Sequence, residues 1–162
     1  MKIISHRGNI KGLNPRRENS PSYIDCAIQL GYDVEIDIRF LDDILWLGHD
    51  EPQYKVEINW LLSRKEKIWV HCKNLEACSF LSRHKNDINY FAHSHDPVVL
   101  VSNGMTWVHD LSLKLDENCV IPLLSKEDIE LYQGIDKIHA VCTDDIFHIK
   151  NKFAKLEKSC KS

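Results

Sequence analysis

Glu35 and Asp37 stand two apart in the stretch YDVEIDIRF (32–40), which otherwise reads as a buried strand. Side chains at i and i+2 of a strand share a face, with Cα atoms roughly 6–7 Å apart. Two carboxylates placed in this way repel each other unless something positive lies between them. A carboxylate pair with no internal counter-ion is a natural ligand for a hard divalent cation. His6 and His49 could serve beside such a cation as general acid and base. Arg7 and Lys73 suit an anionic substrate, the arginine as a fork and the lysine as a point charge. A cation, two histidines and two basic side chains together describe a site that cleaves phosphate esters. Alternation alone also allows a plainer arrangement, with Val34, Ile36 and Ile38 on one face and both carboxylates solvated on the other.

The elements that must position these residues follow from the pattern of apolar runs. KIIS (2–5) reads as a first strand ending at His6, and DVEIDIRF (33–40) as a second. Between them SPSYIDCAIQL (20–30) reads as a helix, with Ser20 at the N-cap, Pro21 at its first position and Gly31 past its end. DDILWLGHD suggests a turn and a short extended piece, and VEINWLLSR (56–64) a short helix. KIWVHCK (67–73) is a third strand, followed by the helix LEACSFLSRH. INYFAHS, PVVLVSN, TWVHD and NCVIPLL read as strands four to seven, with no room for a helix before TWVHD. SKEDIELYQ is a helix opened by Ser125 with Asp128 at its third position. KIHAVCTD (137–144) is an eighth strand, and IFHIKNKFAKLEK a last helix.

Strands alternating with helices imply parallel pairing and an α/β architecture. Eight strands suggest a closed (β/α)8 barrel, yet that fold takes ~250 residues and this chain has 162, so several helices must be short or missing. An open α/β sheet is the alternative. The polar residues collect at the C-terminal ends of the strands, where loops of parallel α/β folds converge on one face and sites form.

At 162 residues the chain is read as one domain, 1–162, with an ordinary 43% apolar and 28% charged composition. A net charge of −3 argues against general nucleic-acid binding. No run approaches the ~18 apolar residues of a membrane span, and the N-terminus shows no signal-type apolar segment. Six cysteines (26, 72, 78, 119, 142 and 160) form no CxxC pair and no zinc-finger spacing. Three of them lie in or beside apolar runs, so reduced thiols and a cytoplasmic compartment are expected. Oligomeric state has no signature here.

Four motifs occur in order: His6-Arg7-Gly8, Glu18-Asn19-Ser20, Glu35-Ile36-Asp37 and His49-Asp50. Together they resemble the glycerophosphodiester phosphodiesterase family of the phospholipase C-like superfamily, over residues 3–53. VCTDD (141–145) resembles that family's last barrel strand. The resemblance implies a compact TIM barrel and hydrolysis of a small-molecule phosphodiester. It implies His6 and His49 as the acid–base pair, Glu35 and Asp37 as ligands of Mg²⁺ or Ca²⁺, and Arg7 as a phosphate contact. Glu18 would orient the first-strand loop. Where the family's third strand carries Glu-x-Lys, this chain has His71-Cys72-Lys73. Lys73 keeps the substrate contact, and His71 in the ligand position opens the site to Mn²⁺ or Zn²⁺.

Two further readings stand beside this one: a non-catalytic phosphate-ligand module on the same barrel, and a phospholipase C- or D-type lipid phosphodiesterase. AHSHDP (92–97) could place His93, His95 and Asp96 around a transition metal, or could simply end strand four at the mouth of the site. Trp107 is read as core, with substrate stacking as the alternative, and the charged tail as a fraying helix.

Overall fold

The structure is a computed structural model that describes residues 1–133 and 138–159, with the backbone alone for 155–159. Lys137, at the start of the expected eighth strand, and the end of the tail with Cys160 fall outside the described residues.

The first strand, β1 (Lys2–His6), leads through a long loop into α1 (Pro21–Gln29) and β2 (Asp33–Leu41). Tyr23, Ile24 and Ala27 bury one stripe of α1. Ser20 occupies the N-cap position as expected, but its side chain makes no capping bond. A two-residue turn, Asp42 and Asp43 both at positive φ, joins β2 to β3 (Ile44–Leu47) in the hairpin geometry such turns favour. Next come β4 (Tyr54–Val56), α2 (Ile58–Leu62), β5 (Ile68–Cys72) and α3 (Leu75–Ser82). Then follow β6 (Asn89–Phe91), β7 (Val98–Leu100), β8 (Thr106–Val108) and β9 (Cys119–Pro122). The chain ends with α4 (Lys126–Leu131), β10 (Ala140–Thr143) and α5 (Ile146–Ser159). Ser125 and Asp128 form a reciprocal capping box on α4, as their spacing predicts.

The sheet is mixed and curled. Strands β6-β5-β2-β1-β10-β9-β8 pair in parallel in that order. This run is the TIM-like part of the fold. Two features depart from the expected all-parallel eight. The ribbon β3–β4 is antiparallel and grows from the outer half of β2. The fifth expected strand, β7, runs antiparallel to β8. Five residues, 101–105, separate β7 from β8, and a parallel crossover needs a dozen or more. Only a hairpin is geometrically available.

Strand pairing does not complete the circle among the described residues. The Ser102 N–H donates to the Tyr90 carbonyl at 2.9 Å, and the rings of Phe91 and Trp107 stack at 4.5 Å across the seam between β6 and β8. Period-two alternation sorts the core into layers. Ile4, Trp69, Phe91, Trp107, Val120, Ala140 and Cys142 fill the inside of the curl. Val34, Ile36, Ile38 and Val70 face outward and pack with Ile24 and Ala27 of α1 and Ala77 and Leu81 of α3. Ile121 and Val141 pack outward with Ile129 of α4 and Ile149 of α5. Both faces of the parallel strands are thereby buried, as such strands require. The five described cysteines are free thiols, three of them buried. No helix among the described residues is long and apolar enough to cross a membrane.

Candidate active site

The C-terminal ends of the strands surround a cavity of about 550 Å³, lined by His6, Arg7, Glu35, His49, His71 and Lys73 among others. One edge of β2 brings the two histidine loops together. The Arg7 N–H donates to the Glu35 carbonyl at 2.9 Å, and the Gly48 N–H donates to the Asp37 carbonyl at 3.1 Å. Thus β1 holds the lower part of this edge, β3 the upper part, and His6 and His49 sit next to the two junctions. A Cβ on Gly48 would stand 2.0 Å from the Glu51 carbonyl oxygen, so the turn that carries His49 has room only for glycine. On the opposite edge of β2 the Lys73 N–H bonds to the Ile38 carbonyl at 2.8 Å, and β5 sets His71 beside Asp37.

Glu35 and Asp37 point into the curl and are almost wholly buried, at 2% and 0% exposure. This overturns the solvated-face arrangement. One ligand atom each from Glu35, Asp37 and His71 falls within a 4.8 Å span. His71 Nδ1 lies 3.2 Å from Asp37 Oδ1 and 3.7 Å from Glu35 Oε1. Glu35 Oε2 and Asp37 Oδ1 are nevertheless buried without an aligned hydrogen-bond partner. Such orphaned acceptors are rare in protein interiors and are free to take an ion or water. Two carboxylates and an imidazole fit a divalent cation.

The electrostatics agree with that fit. Burial, and then the charge of Asp37, push the Glu35 carboxyl up to about 8. Asp37 also loses by burial, but its neighbours His71 and Arg7 outweigh that and hold it below the usual carboxylate range. Burial lowers the His71 imidazole, against the pull of Asp37. With no cation between them, the pair keeps one negative charge rather than two.

Around this cluster runs a hydrogen-bond network. Asn19 binds Asp37 twice: its Nδ2 donates to Oδ2, and its Oδ1 accepts from the Asp37 N–H, both at 2.9 Å. Arg7 Nε lies 2.8 Å from Asp37 Oδ2, and its Nη1 donates to Glu18 Oε2 at 3.1 Å. The Arg7 guanidinium, expected at a phosphate, is therefore flanked by two carboxylates. Glu18 also accepts from Asn9 at 2.8 Å, and the same Asn9 amide donates to Asp144 at 2.7 Å. Asp144 in turn holds His6 Nδ1 at 2.8 Å, which leaves His6 Nε2 directed at Glu35, 3.8 Å away. Burial disfavours the His6 imidazolium, but the Asp144 bond and the charges of Glu35 and Asp144 outweigh it and raise its pKa. His49 is more open: its Nδ1 pairs with the adjacent Asp50 at 2.7 Å, and Arg39 Nη2 holds its backbone carbonyl at 2.6 Å. Lys73 Nζ is 3.9 Å from Asp37 Oδ1.

Six of the eight sequence-predicted residues line this cavity, and Glu18 and Asp37 join them through their ion pairs with Arg7. The structure adds Asn9, Asn19, Arg39 and Asp144, which sequence reasoning did not single out. Asp144 carried a signal, since it follows the last strand in VCTDD, and Asn19 lies inside a quoted motif. Asn9 and Arg39 carried none. The cluster AHSHDP divides. His93 lines the cavity, whereas His95 is exposed and its Nδ1 bonds to Ser94. β6 has ended at Phe91, so alternation does not align His93 with His95. Among the described residues, the cation-capable group is Glu35, Asp37 and His71. Trp107 is buried at 3% exposure, as its core reading expected.

No protein-family model and no curated protein matches the chain. The crystal structure of a glycerophosphodiester phosphodiesterase from Agrobacterium tumefaciens is similar to it, with a TM-score of 0.55 and 17% identity. The alignment covers 95% of this chain and 99% of that one. At this identity the likeness is one of fold.

Proposed function

We propose that the chain is a metal-dependent phosphodiesterase acting on glycerophosphodiester-like substrates, with His6 and His49 moving the protons. The observation that carries this reading is the buried cluster of Glu35, Asp37 and His71, with two orphaned carboxylate oxygens, beside the Asp144-bound His6. The fold likeness to a glycerophosphodiester phosphodiesterase supports it.

Glu35, Asp37 and His71 would hold the cation. Mg²⁺ or Ca²⁺ suits the carboxylates, and Mn²⁺ or Zn²⁺ suits the imidazole. When bound, such an ion supplies positive charge to offset that of the phosphoryl oxygens. The chain's own residues do the rest. Asp144 fixes the proton of His6 on Nδ1 and so reserves Nε2 for proton exchange in the cavity. Arg39 holds the peptide of His49, the second proton carrier. One histidine takes a proton from the attacking oxygen and the other gives one to the departing alcohol. Lys73, 17% exposed at the cavity rim, is the basic group that meets the phosphate. Arg7, now paired with Asp37, would be a second basic group for the phosphate with that carboxylate engaged as a ligand.

The Arg7–Asp37 pair at 2.8 Å is also what favours the alternative, a phosphate-ligand module, because it occupies a ligand carboxylate with an internal partner. Turnover separates the two. Purified protein incubated with a panel of glycerophosphodiesters and Mg²⁺, Ca²⁺, Mn²⁺ or Zn²⁺ should release the alcohol. His6→Ala and His49→Ala should each lower kcat by ~10²-fold or more with cation affinity near wild type. Binding without turnover by the wild type across all metals would favour the module.

A further inference from the structure

A cavity of about 550 Å³ has room for far more than a phosphate group. Its wall beyond His71 is made of rings. The His93 ring packs against His71 (centroids 4.6 Å apart, 8° between planes) and against His109 (4.3 Å, 43°). Phe91 lies against His71 at 5.0 Å and against Trp107 at 4.5 Å. Near-parallel imidazoles direct their lone pairs along separate planes, so His71 and His93 do not converge on one metal. The Nδ1 of His93 is enclosed and has no hydrogen-bond partner. An enclosed lone pair is a smaller loss than an enclosed N–H, which puts the ring proton on Nε2. His93 lines the cavity, and its enclosed Nδ1 leaves Nε2–H as the donor of the ring.

Asp96 acts on His93 but does not line the cavity, and the wall itself offers little to a positive charge. Among the described residues that line the cavity, Glu35 is the one acid, and it belongs to the cation cluster. Phe91 and Trp107 turn their faces to each other rather than forming an open aromatic cage.

We propose that the His93–His109 wall is the subsite for the alcohol part of the phosphoester. His93 Nε2 donates there to an oxygen of that alcohol, and the wall selects a neutral, hydroxyl-bearing group over a cationic one. The assignment rests on the phosphoester reading of the site. A phosphate oxygen could accept the same bond, so the test separates the two acceptors. Calorimetric titration of the full chain in excess Mg²⁺ would use inorganic phosphate, glycerol 3-phosphate and phosphocholine. The wild type should bind glycerol 3-phosphate ~10-fold more tightly than phosphocholine. His93→Phe keeps a ring in the stack and removes the nitrogens. It should lose most of that preference and leave inorganic phosphate within roughly twofold of wild type. His93→Gln places an amide donor near the position of Nε2 and should retain the preference; this arm decides if the Phe variant folds poorly. The proposal is overturned if the wild type fails to bind glycerol 3-phosphate or binds phosphocholine equally well. It also falls if His93→Phe keeps the preference, or weakens inorganic phosphate as much as glycerol 3-phosphate. Selective binding without hydrolysis of any diester would remove the enzymatic reading and leave this wall standing.

Discussion

His6 and Asp144, 138 positions apart in the chain, meet at 2.8 Å through Nδ1 and Oδ1. The contact exists because β1 and β10 are parallel neighbours in register, Ser5 beside Thr143, so that the residues just past each pair fall side by side. The carboxylate fixes the imidazole's tautomer and leaves Nε2 facing Glu35.

Asp144→Asn should therefore lower turnover by ~10²-fold, since the wrong nitrogen would then carry the proton. Asp144 also raises the His6 pKa against the effect of burial. In the variant the His6 limb of the pH–rate profile should move to lower pH. A proton NMR titration of His6 that does not move between the two proteins would contradict this.

The cation-free protein should lose stability as pH rises toward 8. Folded Glu35 keeps its proton up to about 8, against a model-peptide value of 4.5. Between those values the folded state binds more protons than the unfolded one. The contribution is full below about 4.5 and is lost as pH climbs to about 8. His71, lowered by burial, acts in the opposite direction below its ordinary 6.5, so the clearest window is 6.5 to 8, where His6, raised above its own 6.5, adds to the fall. Thermal melts in chelator should fall across that window, Glu35→Gln should flatten the slope, and added cation should stabilise most at the alkaline end. A wild-type slope unchanged by Glu35→Gln would refute the assignment.

His71→Glu should change which ion the site prefers. Adding a carboxylate to Glu35 and Asp37 hardens the donor set and should move the Mg²⁺-to-Mn²⁺ affinity ratio toward Mg²⁺ by roughly tenfold. Direct titration of each metal checks this, and an unchanged ratio would place His71 outside the coordination sphere.

Lys152 tests stability away from the site. Its buried ammonium donates to the carbonyls of Ile129, Glu130 and Tyr132, which close the C-terminal end of α4. Lys152→Met would leave those acceptors short of a partner next to the negative end of the helix. A loss of ~2–3 kcal/mol, or roughly 5–10 °C in Tm, is expected with cation affinity unchanged.

The sequence shows most of the strands because alternation is strong wherever one face meets helices and the other meets the curl. β4 is hidden: three residues, Tyr54–Val56, are too few to display a period and merge into the helical pattern of VEINWLLSR. The antiparallel sense of β7 was open to arithmetic, since the five residues after it cannot span a crossover. In the site, Glu35, Asp37 and His71 are legible because one strand and its neighbour carry them. Asn9 is not. Its amide joins Glu18, nine positions away, to Asp144, 135 positions away. That bridge depends on the register of β1 against β10, which no local pattern encodes.

The shared edge of β2 has a consequence for how such a site tolerates change. The Arg7 and Gly48 amides dock on the Glu35 and Asp37 carbonyls, one strand repeat apart, or roughly 6–7 Å. The anchorage of His6 and His49 is thus gauged by peptide units along a single strand. The loops that follow can lengthen, shorten or change composition without resetting that gauge, whereas a slip of the β2–β3 hairpin would reset it at once.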